Sequence, residues 1–185
     1  MNRIPLPTDD ELTPEAVELL GQLPPLNVVR MFAGAPEALR PLTDLGQAIL
    51  LKGELDPRLR EIAILAVAQT SGSAYEGAQH ENICRAIGMP EQEIRAAADG
   101  RPGKLDDEAA LIWDFGRQIA RDVRASEETT GAVLDLLGRR QATELVVACA
   151  FYCAAARIIE TCGVEFEEKL PTENINPDDW TDEPG

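Results

Sequence analysis

Aromatic side chains are scarce, at 4% of 185 residues. So few argue against a β-sandwich core and against a surface that stacks nucleic-acid bases. Positive charge is scarce as well. Seventeen Lys and Arg stand against 33 Asp and Glu, a formal net charge of −16. Such a chain repels phosphate backbones and anionic lipid heads, so neither nucleic acid nor a membrane is an expected partner. Histidine occurs once, at His80, and four cysteines stand at 84, 149, 153 and 162. Their spacing fits no zinc site, and no metal is expected. Cys149 and Cys153 lie one helical turn apart, too far for an unstrained disulfide. The first residues hold no apolar run that would make a secretory signal, so reduced thiols and a cytoplasmic setting are expected. The longest apolar run, Leu145 to Ala156, is too short to span a bilayer and fits a buried core helix.

What remains is helix. Nearly every strong segment has a period near 3.6 rather than strict alternation, so the spacing predicts an all-α protein. A short helix from Pro14 to Leu20, begun by Thr13, sits in an irregular arm, residues 1–26. Asn27 opens a helix toward Phe32, and Pro36 starts another that Gly53 stops. Asp56 followed by Pro57 is a start signal. The helix it opens, to about Thr70, is apolar on nearly all sides from Ile62 to Ala68, as a central helix must be. Gly72 breaks it, and a second helix runs from Ala74 to Ile87 before Gly88. Pro90, Asp106 and Ser126 begin further helices, and Gly138 separates the last two. A tail, residues 169–185, is strongly acidic. A single helical domain over 27–168 is therefore expected between arm and tail.

The residues that could carry chemistry cluster around the Gly72 turn. Glu76 and His80 are four apart on one helix face, which is otherwise apolar at Ile83, Cys84 and Ile87. Folding the hairpin back would let Glu61 approach both. Two carboxylates and an imidazole in an apolar setting are the ingredients of a tuned proton-transfer site. Ser73-Ala74-Tyr75-Glu76 equally fits a capping box, and Glu61 a first-turn acid. His80 equally fits a satisfied core residue. Arg58 and Arg60 are expected to face solvent, with one available for a substrate carboxylate.

The run Leu55-Asp56-Pro57-Arg58-Leu59-Arg60-Glu61-Ile62-Ala63-Ile64-Leu65 resembles the central helix of the carboxymuconolactone decarboxylase and AhpD-like alkylhydroperoxidase family. So does Gly72-Ser73-Ala74-Tyr75-Glu76-Gly77-Ala78-Gln79-His80, followed by Ala86-Ile87-Gly88. The likeness extends over about 27–165. In the redox branch a glutamate is followed, twelve residues on, by Cys-x-x-Cys, with a histidine four beyond the second cysteine. Glu61 and His80 match, but Ser73 and Glu76 stand where the two cysteines would be. A thiol cycle needs one thiol to attack and another to resolve, so peroxidase activity by that route is not implied. Only Cys84 beside His80, resolved by an outside thiol, would offer a substitute.

The resemblance implies an AhpD-like helical bundle around a central helix hairpin. It also implies a homo-oligomer, trimer or hexamer, acting on a small-molecule substrate without a cofactor. In a lyase-type reading, His80 is the acid, and Glu61 and Glu76 hold its tautomer and charge. Tyr75 or a backbone N–H meets the developing oxyanion, Ser73 completes the site and Arg60 holds a substrate carboxylate. The remaining alternative is a non-catalytic scaffold or ligand binder.

Overall fold

A computed structural model describes residues 3–167, so the acidic tail expected at 169–185 lies outside the described residues. Eight α-helices and no strand occur among them. The described residues divide into two compact units, one of residues 3–52 with 159–167, the other of residues 53–158.

The first unit holds α1 (Pro14–Gln22), α2 (Asn27–Ala33) and α3 (Pro36–Gln47), with the last residues of α8 (Glu127–Cys162). Thr13 caps α1 by accepting the Ala16 N–H, as its place before Pro14 predicts. Ala16, Leu19, Met31, Phe32 and Leu39 are buried. Pro41 lies inside α3, where it removes one backbone donor. The end of α3 widens into a π-type turn, Ala48–Lys52, where the helix begun at Pro36 was expected to continue until Gly53 stopped it. Part of the N-terminal arm is tied down within the chain. Arg3 donates its backbone N–H to the Cys162 carbonyl at 2.7 Å.

The second unit is organised on α4 (Pro57–Ser71). Every residue from Leu59 to Ala68 is buried, so α4 is a core helix on all faces. Asp56 caps it through the Leu59 N–H. Gly72, at φ 70°, supplies the left-handed residue that closes it. The Ser73 and Gly72 amides then return to Ala68 and Gln69 in a Schellman arrangement. α5 (Ala74–Ala86) runs back along α4 as the expected hairpin, and α6 (Glu91–Ala98) follows the Gly88 turn. α7 (Asp107–Asp122), capped by Asp106, packs most extensively on α4. A Cβ on Gly116 would stand 2.6 Å from the Ala63 carbonyl oxygen, so this crossing is open only to glycine. On α7, Ile112 and Phe115 are buried, while Ile119 is only half-buried. Trp113 is buried too, with its indole N–H given to the Ala97 carbonyl.

Ser126 caps α8 through the Thr129 N–H, and α8 is interrupted at Gly138 (φ 70°, ψ 168°), where two helices were expected to separate. By length and composition alone α8 could cross a bilayer, a property the run Leu145 to Ala156 did not reveal. Half of its apolar window is buried within the protein.

Candidate functional site

Glu61 is held in the first turns of α4, and His80 stands midway along α5. The hairpin closes them face to face, with His80 Nδ1 2.6 Å from Glu61 Oε2. The other oxygen, Glu61 Oε1, accepts from Arg60 Nε at 2.9 Å. Arg60, Glu61 and His80 are 4%, 0% and 4% exposed. The expectation that Arg60 faces solvent is therefore wrong. α4 has no solvent face at this level, and the guanidinium is buried as an ion-pair partner. Arg58, by contrast, is partly exposed and bridges Glu93 and Asp106.

The electrostatics are one-sided. Burial pushes the Glu61 carboxyl up, but the His80 ring and the Arg60 guanidinium outweigh it, and the net shift is downward. Glu61 is thus a carboxylate and can only accept. His80 Nδ1 must then carry the proton between them, which leaves Nε2 as the ring nitrogen that exchanges protons with anything else. The first-turn-acid reading of Glu61 fails, since an acid complementing a helix dipole at a surface has no reason to be wholly buried against an imidazole.

Glu76 is buried one turn before His80, and Tyr75 is buried beside it on α5. Ser73 heads α5 as the N-cap residue but makes no side-chain cap hydrogen bond. The serine half of the expected capping box is therefore absent. The Ser73 hydroxyl is buried without a hydrogen-bonding partner.

Tyr152, on α8, belongs to the site and was missed. Its ring meets the His80 ring edge-on, centroids 4.4 Å apart at 86°. Burial, followed by the Glu61 and Glu76 carboxylates, raises its phenol well above the ordinary range, so it stays a protonated donor. The only local signal was an aromatic inside the apolar run Leu145 to Ala156. The thiols around it are poor nucleophiles. Burial first, then Glu61 and Glu81, push the Cys84 thiol far up. Burial does the same for Cys149, and for Cys153 against the opposing pull of Arg157. Among the described residues no group of three or more His, Cys, Asp or Glu is gathered as a metal cage.

The helical fold centred on a two-helix hairpin is AhpD-like. Two solved structures share the fold, each with a TM-score of 0.76. One is an uncharacterized peroxidase-related protein from Silicibacter sp. TM1040, 19% identical over 90% of this chain and 92% of its own. The other is an alkylhydroperoxidase AhpD core, an uncharacterized peroxidase-related protein from Ralstonia eutropha JMP134. It is 18% identical over 90% of this chain and 93% of its own. No curated protein matches the chain. Residues 36–101 match the model of the carboxymuconolactone decarboxylase family. Glu61, Ser73, Glu76 and His80 all lie inside the matched stretch.

Proposed function

We propose that the protein is a cofactor-independent enzyme of proton-transfer chemistry, lyase-type, acting on a small organic acid or lactone. The observation that carries this is the 2.6 Å contact between Glu61 and His80, buried together with Arg60. A carboxylate that fixes the proton on Nδ1 makes Nε2 a positioned acid or base. In a decarboxylation the bond to the departing carboxylate breaks and carbon dioxide leaves. The electron pair moves into a conjugated carbonyl, and a proton delivered from His80 Nε2 to carbon completes the balance. Tyr152, a protonated phenol against the imidazole, is a better candidate than Tyr75 to meet the dienolate oxygen. Arg60 Nε is committed to Glu61, so the charge that was to hold a substrate carboxylate is already engaged. With Glu61 and Glu76 nearby, a substrate carrying little negative charge suits the site best.

The thiol-peroxidase reading is weaker. Serine and glutamate occupy the motif's cysteine positions, and the Cys84 thiol is held protonated. The complete burial of Glu61 favours a second reading, in which the same pair is a core network of a non-catalytic scaffold. We propose also that the protein is a homo-oligomer, trimer or hexamer. Sedimentation that finds only a 20.1 kDa species would remove that part.

The test is His80→Gln, assayed by carbon dioxide release from carboxylated unsaturated lactones and by deuterium uptake from heavy water. Hydroperoxide consumption with dithiothreitol is followed in parallel. The enzyme reading expects the change to lower turnover by about 10²–10⁴-fold while melting shifts little. Absence of turnover in the wild type, with a stability loss of about 1–3 kcal/mol in the variant, establishes the scaffold. Hydroperoxide consumption that survives His80→Gln and disappears in Cys84→Ser establishes the thiol route.

A further inference from the structure

α8 carries an apolar surface that the described residues leave uncovered. Its apolar window is only half buried within the protein. Between Arg139 and Arg157, Thr143, Val146, Val147, Ala150 and Ala154 are exposed, and their spacing by three and four residues sets them in one stripe. Val146 and Val147 are 44% and 40% exposed. Scattered exposed aliphatics are ordinary, but a continuous stripe marks a contact surface. The half of α8 before the break at Gly138 also exposes two leucines, Leu134 and Leu136, at 47% and 40%. Charge separates the two halves. Residues 127–137 hold Glu127, Glu128 and Asp135, all exposed, and no base. Residues 139–158 hold Arg139, Arg140 and Arg157 against Glu144 alone. Arg140 is engaged with Glu54 and Glu144. Arg139 and Arg157 are exposed, and among the described residues no carboxylate pairs with either. Arg157 bonds only the Cys153 carbonyl of its own helix, at 2.6 Å.

We propose that α8 docks a second copy of this chain with its own α8 reversed, so that the acidic, leucine-bearing half of each helix lies on the basic, valine-bearing half of the other. The two halves follow one another along one helix and cannot cover each other within a chain. A reversed copy brings Arg157 toward the partner's Glu127 and the partner's Glu128, and a twofold axis repeats the contact. A copy running the same way would set acid on acid and arginine on arginine, which is unfavourable. Ala150 and Ala154 are small enough to let the helices approach closely. The other half of the apolar window is committed to the core, so a bilayer is not the occupant. The inference rests on the homo-oligomer reading in needing more than one copy. It adds a twofold axis, which a hexamer can contain and a trimer lacks.

The experiment is sedimentation equilibrium of the full chain over a concentration series, with circular dichroism to show that each variant keeps its helices. An even-numbered oligomer is expected. Val147→Glu sets a carboxylate in the stripe, against the partner's acidic half, and should halve the assembled mass. Arg157→Glu, and separately Glu127→Arg with Glu128→Arg, should each weaken the twofold contact about tenfold. All three charge reversals together should restore it to within about threefold of the wild type, since the opposed charges are exchanged rather than lost. A species of 20.1 kDa alone overturns this inference together with the homo-oligomer reading. A trimer overturns this inference alone. So does an even-numbered oligomer whose mass Val147→Glu leaves unchanged, or one in which the combined reversal is as weak as either part. A dimer that follows the expected pattern upholds the inference and removes the trimer or hexamer.

Discussion

One seam between α4 and α5 carries two kinds of buried polar group, and they are treated in opposite ways. At its deeper level Glu61, His80 and Arg60 are charged or chargeable, fully desolvated and joined by short hydrogen bonds. At the tip Ser73 and Thr70 are neutral hydroxyls, buried and unpaired. A desolvated charge without a partner is intolerable, whereas an unpaired hydroxyl is only mildly unfavourable. The deeper level therefore has to be built as a unit, whereas the tip can tolerate an unpaired hydroxyl. Stability should thus respond steeply to changes at one end and hardly, or with opposite sign, at the other.

The steepest expected response is to Glu61→Gln. It strips a carboxylate from two buried cations or cation precursors and leaves them uncompensated. A loss of about 3–5 kcal/mol is expected, read as a lower midpoint in urea unfolding. The triple change of Arg60, Glu61 and His80 to leucine should lose less than this single one, because it removes the charges together. A Glu61→Gln protein as stable as the wild type would show that the pair is not desolvated as the structure describes.

The same unit sets a pH dependence. The Glu61 carboxyl lies below its ordinary value of 4.5 in the folded protein. Its contribution to stability is therefore complete above about 4.5 and is lost as pH falls through the depressed folded value. Wild type and Glu61→Gln should differ most near neutrality and converge in acid. Unfolding midpoints measured across that range give the answer, and a gap that stays constant to low pH would mean that Glu61 is not the titrating group.

The two levels were unequally legible in the sequence. Helix starts were written locally, in Thr13, Asp56, Asp106 and Ser126, because a capping oxygen and the amide it accepts are only three residues apart. Glu61 and His80 could be brought together by helix period and one turn signal at Gly72. Ser73 misled for the same reason that Asp56 did not. Both precede a helix, but whether the side chain turns to the backbone is settled by packing, and at Ser73 it does not. Arg60 was misplaced because charge was taken to mark a solvent face on a helix that has none there. Tyr152 could not be found, since nothing in an apolar run on α8 says which side chain will meet an imidazole on α5. The tests at the tip therefore probe what the sequence left least determined.

At the tip the sign should reverse. Ser73→Ala removes a hydroxyl that bonds to nothing and provides no cap. The protein should be unchanged or more stable by up to about 1 kcal/mol, against the usual loss of similar size for removing a capping serine. A clear destabilisation in urea would mean that the hydroxyl is satisfied in solution by an ordered water, and the contrast between the two ends would then narrow.

The smallest effect is expected at Thr70, in the last turn of α4. Its hydroxyl is buried and unpaired, although the residue as a whole is only half-buried. A threonine in a helix ordinarily returns its hydroxyl to a carbonyl one turn back, and Thr70 does not. Valine has nearly the same shape and helix propensity, so Thr70→Val isolates the hydroxyl. A gain of roughly 0.5 kcal/mol is expected, smaller than at Ser73 because less of the residue is withdrawn from water. In a protein of this size that raises the melting temperature by only about 1–2 °C, so replicate calorimetry is required. Combined with Ser73→Ala the gains should add, since neither hydroxyl bonds the other. A shortfall would reveal a shared water between them and make the tip a hydrated network, the neutral counterpart of the ion pair below.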